Sequence, residues 1–116
     1  MDIYHIWCDL QAGESDTDFC TALENYLESL KSNSELQAYR ITRRKLGLGI
    51  EGLGEFHIQM EFNNLAQLDA AFTHVSSRKD PIESFHHQVN SRVKNVKFSL
   101  YRDFPDKQRA TGEEKF

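Results

Sequence analysis

Cysteine, proline and tryptophan are scarce in this chain: two, two and one among 116 residues. Two cysteines cannot build the framework that staples small secreted domains. Cys8 and Cys20 therefore read as reduced, buried thiols, with a single bridge between them as the alternative. No stretch approaches the roughly 20 apolar residues that span a bilayer. Met1-Asp2-Ile3-Tyr4-His5-Ile6 also lacks the basic start and long apolar stretch of a signal peptide. A soluble, cytoplasmic protein with no membrane partner is expected. Basic excess is missing as well: Lys and Arg total 14 against 18 Asp and Glu, for a net charge of -4. That balance disfavours a general nucleic-acid binder, which needs cations to displace counterions from phosphates. A local basic patch nevertheless stands at Arg40, Arg43, Arg44 and Lys45. There is no internal repeat, no low-complexity tract, no nucleophile elbow, no zinc spacing and no paired-carboxylate signature. No motif specifies a reaction.

Apolar residues make up 39% of the chain and charged residues 28%, which is globular composition at a length that suits one domain. Residues 2–10 alternate as a strand, with Tyr4, Ile6, Cys8 and Leu10 opposed to Ile3, His5, Trp7 and Asp9. Ser15 or Asp16 can cap a helix running to about Lys31, whose Phe19, Leu23, Tyr26, Leu27 and Leu30 make one stripe. A second strand is expected over 36–46, with Tyr39 and Ile41 on one side and Arg40, Thr42 and Arg44 on the other. The third strand alternates most cleanly: Phe56, Ile58, Met60 and Phe62 against Glu55, His57, Gln59 and Glu61. Asn64 caps a second helix with Leu65, Leu68, Phe72 and Val75 as its buried stripe. Ser76 to Lys79 interrupts it, and Asp80-Pro81-Ile82-Glu83 starts a further helical segment. Its stripe is Ile82, Phe85, Val89 and Val93. A last strand is expected over 95–103, with Val96, Phe98 and Leu100 facing the core. The expected domain covers 1–105, and 106–116 reads as a loose polar tail.

The order β-α-β-β-α-β is the split βαβ arrangement of an α+β, ferredoxin-like domain: a four-stranded antiparallel sheet with helices on one face and the first and third strands central. The other face then carries Ile3, His5, Trp7, Arg40, Thr42, His57, Gln59, Ser99 and Tyr101. Leaving Trp7, Ile3 and Tyr101 bare there would expose an apolar patch of the kind that marks an interaction site. A second copy packed face to face, closing a barrel, covers it economically. A monomer with an amphipathic outer face is the alternative.

With that order, the Asp2 to Asp9 strand bearing His5 and Trp7, and the closing segment Phe98-Ser99-Leu100-Tyr101-Arg102-Asp103-Phe104-Pro105, the chain resembles the dimeric α+β barrel superfamily. That superfamily includes small cofactor-free monooxygenases and stress-related barrel proteins. The stretches Ile3 to Leu10 and Arg43 to Gly49 look like an uncharacterised bacterial branch of it. The resemblance spans about residues 2–105 and implies a fold and a homodimer. It brings no catalytic motif and implies no prosthetic group.

Candidate chemistry is carried by a few positions. Gly47, Gly49 and Gly52 match the spacing of a dinucleotide fingerprint, but a strand follows instead of the helix whose N-terminus would hold a pyrophosphate. The loop Gly47 to Gly54 is expected to be a mobile hairpin forming a lip over a pocket, with phosphate binding beside Arg43, Arg44 and Lys45 as the alternative. His57, Gln59 and Glu61 point one way from a central strand, and His5 and Asp9 do so from its neighbour. A histidine there can serve as a base, with His57 as the main candidate and His5 and Gln59 as helpers. Two imidazoles and a carboxylate could also hold a divalent metal, but an ordinary polar face outweighs that reading, and no metal is expected. Trp7 and Tyr101 can wall a pocket for an aromatic or isoprenoid-like ligand, with Arg40, Glu61 and His86 as further ligand contacts. His86 and His87 diverge by about 100° on a helix, too far to share one metal; His87 is expected to be exposed.

Three functional readings follow. One is a homodimeric barrel that binds a small organic ligand and transforms it without a prosthetic group. Another is a non-catalytic ligand sensor on the same scaffold. The last and weakest is an RNA-recognition-like domain, because Phe56 and Phe62 fall on the helix side rather than where bases would stack.

Overall fold

A computed structural model of the chain describes residues 1–106. The tail expected beyond Pro105 lies, from Lys107 onward, outside the described residues. The elements are β1 (Asp2–Leu10), α1 (Asp16–Ser32), β2 (Ala38–Arg43), β3 (Phe56–Phe62), α2 (Leu65–Ser76), α3 (Ile82–Asn90) and β4 (Val93–Arg102). The strands form one antiparallel sheet in the order β2-β3-β1-β4. This is the expected ferredoxin-like α+β architecture, with β1 and β3 central and the second helix split in two.

Local chemistry explains the element ends. Ser15 is extended and its hydroxyl accepts from the Asp18 N–H at 3.2 Å, so one orphan donor of α1 is satisfied. Asn64 does the same for the Gln67 N–H at 2.9 Å, while the Gln67 side-chain oxygen accepts from the Asn63 N–H at 2.7 Å. Asp80 acts beside α3, where one carboxylate oxygen takes the Ser84 N–H and hydroxyl at 3.1 and 2.6 Å.

The core lies between the sheet and α1 to α3. Phe19, Leu27, Leu30, Leu36, Ile58, Phe62 and Ile82 are fully buried, joined by Phe56, Met60 and Cys8. The alternation of β3 thus reads directly as core against outer face.

Several expectations shift. The second strand is shorter than 36–46: Leu36 is buried just before it, and the chain leaves the ladder after Arg43. The last strand begins at Val93 rather than 95. Phe98 and Leu100 point to the helix side yet are 60% and 51% exposed. Val93 and Val96 of the same strand are partly buried against the core, so the open part of the β4 helix side lies at Phe98 and Leu100. On α2 the buried position is Ala71, flanked by the partly buried Leu68 and Val75. Leu65 and Phe72 are 47% and 44% exposed, so the buried stripe is rotated from the expected one. Cys8 and Cys20 are both free thiols; Cys8 is buried as expected, whereas Cys20 is only half-buried.

Candidate functional site

Register assembles the outer face in rows. One row runs Arg40, Gln59, His5, Ser99 across β2, β3, β1 and β4. The next runs Thr42, His57, Trp7, Lys97, and a third Ala38, Glu61, Ile3, Tyr101. Pairing at adjacent strands brings facing side chains within about 5 Å, and the rings use that proximity. Trp7 stacks on His57 with centroids 4.5 Å apart and planes within 4°. His5 lies 5.5 Å from Trp7, 5.1 Å from His57 and edge-on to Tyr101 at 5.0 Å. His5 Nδ1 and His57 Nε2 are 2.9 Å apart, a distance at which one imidazole donates and the other accepts.

Burial holds both imidazoles below the ordinary histidine value, and His5 adds to the effect at His57. A neutral pair sharing one hydrogen-bonding proton can relay or accept a proton, which is the chemistry expected of His57 and His5. Gln59 and Glu61 are half-buried on the same face, and Arg40 is exposed at its β2 edge. The Ser99 hydroxyl beside His5 is buried without a hydrogen-bond partner among the described residues. No cluster of three His, Cys, Asp or Glu side chains able to hold a metal occurs among the described residues.

The β2–β3 loop folds over this face. Gly54 sits against the β1 backbone at Cys8, and Gly52 comes within reach of the Lys97 ammonium on β4. Beneath the loop is a cavity of about 390 Å³ whose walls include Trp7, His57, Leu48, Ile50 and Leu53. This matches the expectation of a lip over a pocket. The loop's basic residues are not arranged as a phosphate cradle. The Arg43 guanidinium bonds Asp16 at 2.8 Å and Glu55 at 2.9 Å and lies over the Phe56 ring, while Arg44 donates to the Leu53 carbonyl.

A larger cavity, about 610 Å³, lies on the opposite side of the sheet, between it and the helices. Tyr4, Tyr26, Phe72, Phe98 and Val89 line it together with His86. Tyr4 stacks on Phe98 at 5.7 Å and meets Phe72 edge-on at 5.2 Å, so the uncovered aromatics of β4 and α2 frame the mouth. Burial raises both tyrosines, Tyr26 to about 12, and raises the Cys8 thiol on the wall to about 11. His86 is the one imidazole in this cavity and packs 5.5 Å from the Tyr26 ring.

The site residues read from the sequence therefore separate into two groups. His5, His57, Gln59, Trp7, Tyr101, Arg40 and Glu61 share the outer face, and His86 lies across the sheet from them. Of the inner cavity the sequence singled out only His86 as a pocket residue beneath the sheet edge, because Tyr4, Phe72 and Phe98 read as core. The signal that could have found it was the excess of large aromatics on the helix side of an edge strand.

Comparison with known proteins supports the fold. A protein of Arabidopsis thaliana matches with a TM-score of 0.70 at 13% identity, covering 91% of this chain and 98% of that one. A variant of SnoaB, a cofactor-independent oxygenase from Streptomyces nogalater, matches with a TM-score of 0.67 at 5% identity, over 90% and 97%. A dimeric ferredoxin-like protein of unknown function from Jannaschia sp. CCS1 matches with a TM-score of 0.63 at 12% identity, over 89% and 100%. No curated protein matches the chain significantly. The fold shared with these structures is ferredoxin-like. A family model covers residues 1–116, and the chain belongs to that family, the family of unknown function DUF6614.

Proposed function

We propose that the protein is a homodimer that binds a small, largely apolar organic molecule in the cavity between sheet and helices. The observation that carries this reading is the cavity itself. Its volume of about 610 Å³ falls in the range of ordinary ligand sites, and its apolar wall carries few polar groups. Tyr26 and His86 are the groups that would orient a ligand or exchange a proton with it. The sheet separates that ligand from His5 and His57, so acid–base chemistry inside the cavity would fall to His86 and Asp69. The dimer would form through the outer face around Ile3 and the 61% exposed Tyr101, which offer an apolar patch to a second copy and are separated by the His5 row from the loop-covered Trp7 row. The dimeric ferredoxin-like relatives support this assembly.

Melting curves with neutral ring compounds such as 2-naphthol test the cavity. Ligand at about 100 times Kd should add about 2.7 kcal/mol to the folded state. Val89→Trp, which fills the cavity, should abolish the shift. A shift of the same size in Val89→Trp would refute the assignment. Product analysis of the same samples separates an enzyme from a sensor. Sedimentation of Tyr101→Glu, expected to run as single copies where the wild type runs as pairs, tests the interface.

A further inference from the structure

The smaller cavity under the β2–β3 loop has a composition unlike the inner one. Its floor is aromatic, the stacked rings of Trp7 and His57, and its apolar roof is Leu48, Ile50 and Leu53. Leu48 and Ile50 are 78% and 72% exposed, so the roof offers apolar surface that nothing on the described chain covers. Its charged residues are Arg43, Arg44 and Lys45 against the single carboxylate Glu55. Glu55 is bound to Arg43, which also holds Asp16, so Arg43 is fully occupied by two carboxylates and is not available to a ligand. Arg44 gives one N–H to the Leu53 carbonyl, which fixes its position without cancelling its charge. Asp9, a carboxylate that feels the Arg44 charge, is already engaged by the Glu55 N–H at 2.9 Å and the Asn95 side-chain amide at 3.1 Å. Arg44 and Lys45 form no ion pair among the described residues, and Lys97 stands close by at Gly52. A chain with a net charge of -4 thus places Arg44, Lys45 and Lys97, none of them in an ion pair among the described residues, beside an indole.

We propose that this pocket is a second binding site, for a small ring-bearing carboxylate. The ring lies against Trp7 and under Leu48 and Ile50, and the carboxylate meets Arg44 and Lys45. An aromatic face with apolar cover disfavours a bare inorganic anion, and paired cations disfavour an uncharged ring. The chemistry selects a molecule with both parts. At about 390 Å³ the pocket suits one substituted ring better than a dinucleotide.

Trp7, the chain's one tryptophan, makes the proposal measurable. Its emission is followed while 4-methylbenzoate, 4-methylbenzyl alcohol or inorganic phosphate is added. The expected result is a saturable change with the benzoate, at least about tenfold tighter than with the alcohol or with phosphate. Arg44→Gln/Lys45→Gln should weaken it about tenfold or more, as for loss of a charge-assisted contact. Lys45→Gln alone should weaken it in part and keeps the test valid if loss of the Arg44 bond to Leu53 unsettles the loop. Val89→Phe, on the far side of the sheet, adds bulk to the inner cavity without a second indole and should leave the benzoate isotherm unchanged, so this site and the inner cavity succeed or fail separately. Equal binding of the alcohol or of phosphate, an isotherm insensitive to both cation variants, its loss in Val89→Phe, or no saturable change at all would each overturn the assignment.

Discussion

Gly54→Ala probes how tightly the β2–β3 loop is moored to the sheet. A Cβ built at Gly54 would lie 2.4 Å from the Cys8 carbonyl carbon, 2.5 Å from its oxygen and 2.8 Å from its Cα. Ordinary contact begins at 3.4 Å, so the two backbones would have to part by about 1 Å. No side chain can rotate away, because every atom met is backbone. Cys8 also sits where the β1–β4 register shifts between Trp7 and Asp9, so the segment being pushed is already irregular. Overpacking typically costs about 1–3 kcal/mol, and the backbone contact places Gly54→Ala near the upper end. For a domain of this size each kcal/mol shifts Tm by about 4–8 °C, so a loss of roughly 10–20 °C is expected at fixed protein concentration. Gly13→Ala is the control: nothing lies within 4 Å of its Cβ, and only the strain of φ +83° is felt. Its loss should be the smaller of the two. Calorimetry on both variants checks the reasoning, and a Gly54→Ala protein as stable as wild type would refute it.

Three further outcomes follow from the same coordinates. His5 and His57 are held below the free value of 6.5, so the unfolded chain protonates first as pH falls. Their share of the stability is complete above that value and is lost as pH drops through the folded values. Tm against pH between about 7 and 5 should therefore fall more steeply for wild type than for His5→Gln/His57→Gln; parallel curves would count against the coupling. Asn64→Ala removes the carboxamide that accepts the Gln67 N–H and should cost about 1 kcal/mol in urea unfolding. Because Cys8 is buried and its thiol raised to about 11, a disulfide reagent should label Cys20 first and Cys8 only on unfolding; rapid double labelling of the native protein would contradict the burial.

Strand alternation made most of the fold legible before any coordinates. In β3, Phe56, Ile58, Met60 and Phe62 are all core, and the outer set His57, Gln59 and Glu61 follows at once. Period two assigns a residue to a face, however, and says nothing of whether a helix covers it. Phe98 and Leu100 share the face of Ile58 yet stand exposed, because the core that takes in Val93 and Val96 does not extend to the C-terminal half of edge strand β4. The same uncovered edge opens the inner cavity, which a reading by core residues closes. On α2 the apolar residues Leu65, Leu68, Ala71, Phe72 and Val75 admit more than one stripe, and packing selects the one centred on the small Ala71. The His5–His57 contact was within reach of the sequence because register brings their strands side by side. A lip formed by the Gly47 to Gly54 loop was legible too, but its anchoring point was not, since that depends on Gly54 meeting a backbone forty-six positions away.

Because β4 pairs with β1, the final strand of the described fold completes the first. The Met1 ammonium and carbonyl oxygen meet the carboxylate and N–H of Asp103, tying the two ends of the sheet together. During synthesis, β1 must wait for some ninety residues to emerge before that edge is filled. In the interval its N–H and C=O groups on that side are open to other strands. A ribosome pausing before Val93 would therefore release a nascent chain prone to sticking, and a chaperone or a second nascent copy would find its handhold along Tyr4 to Trp7.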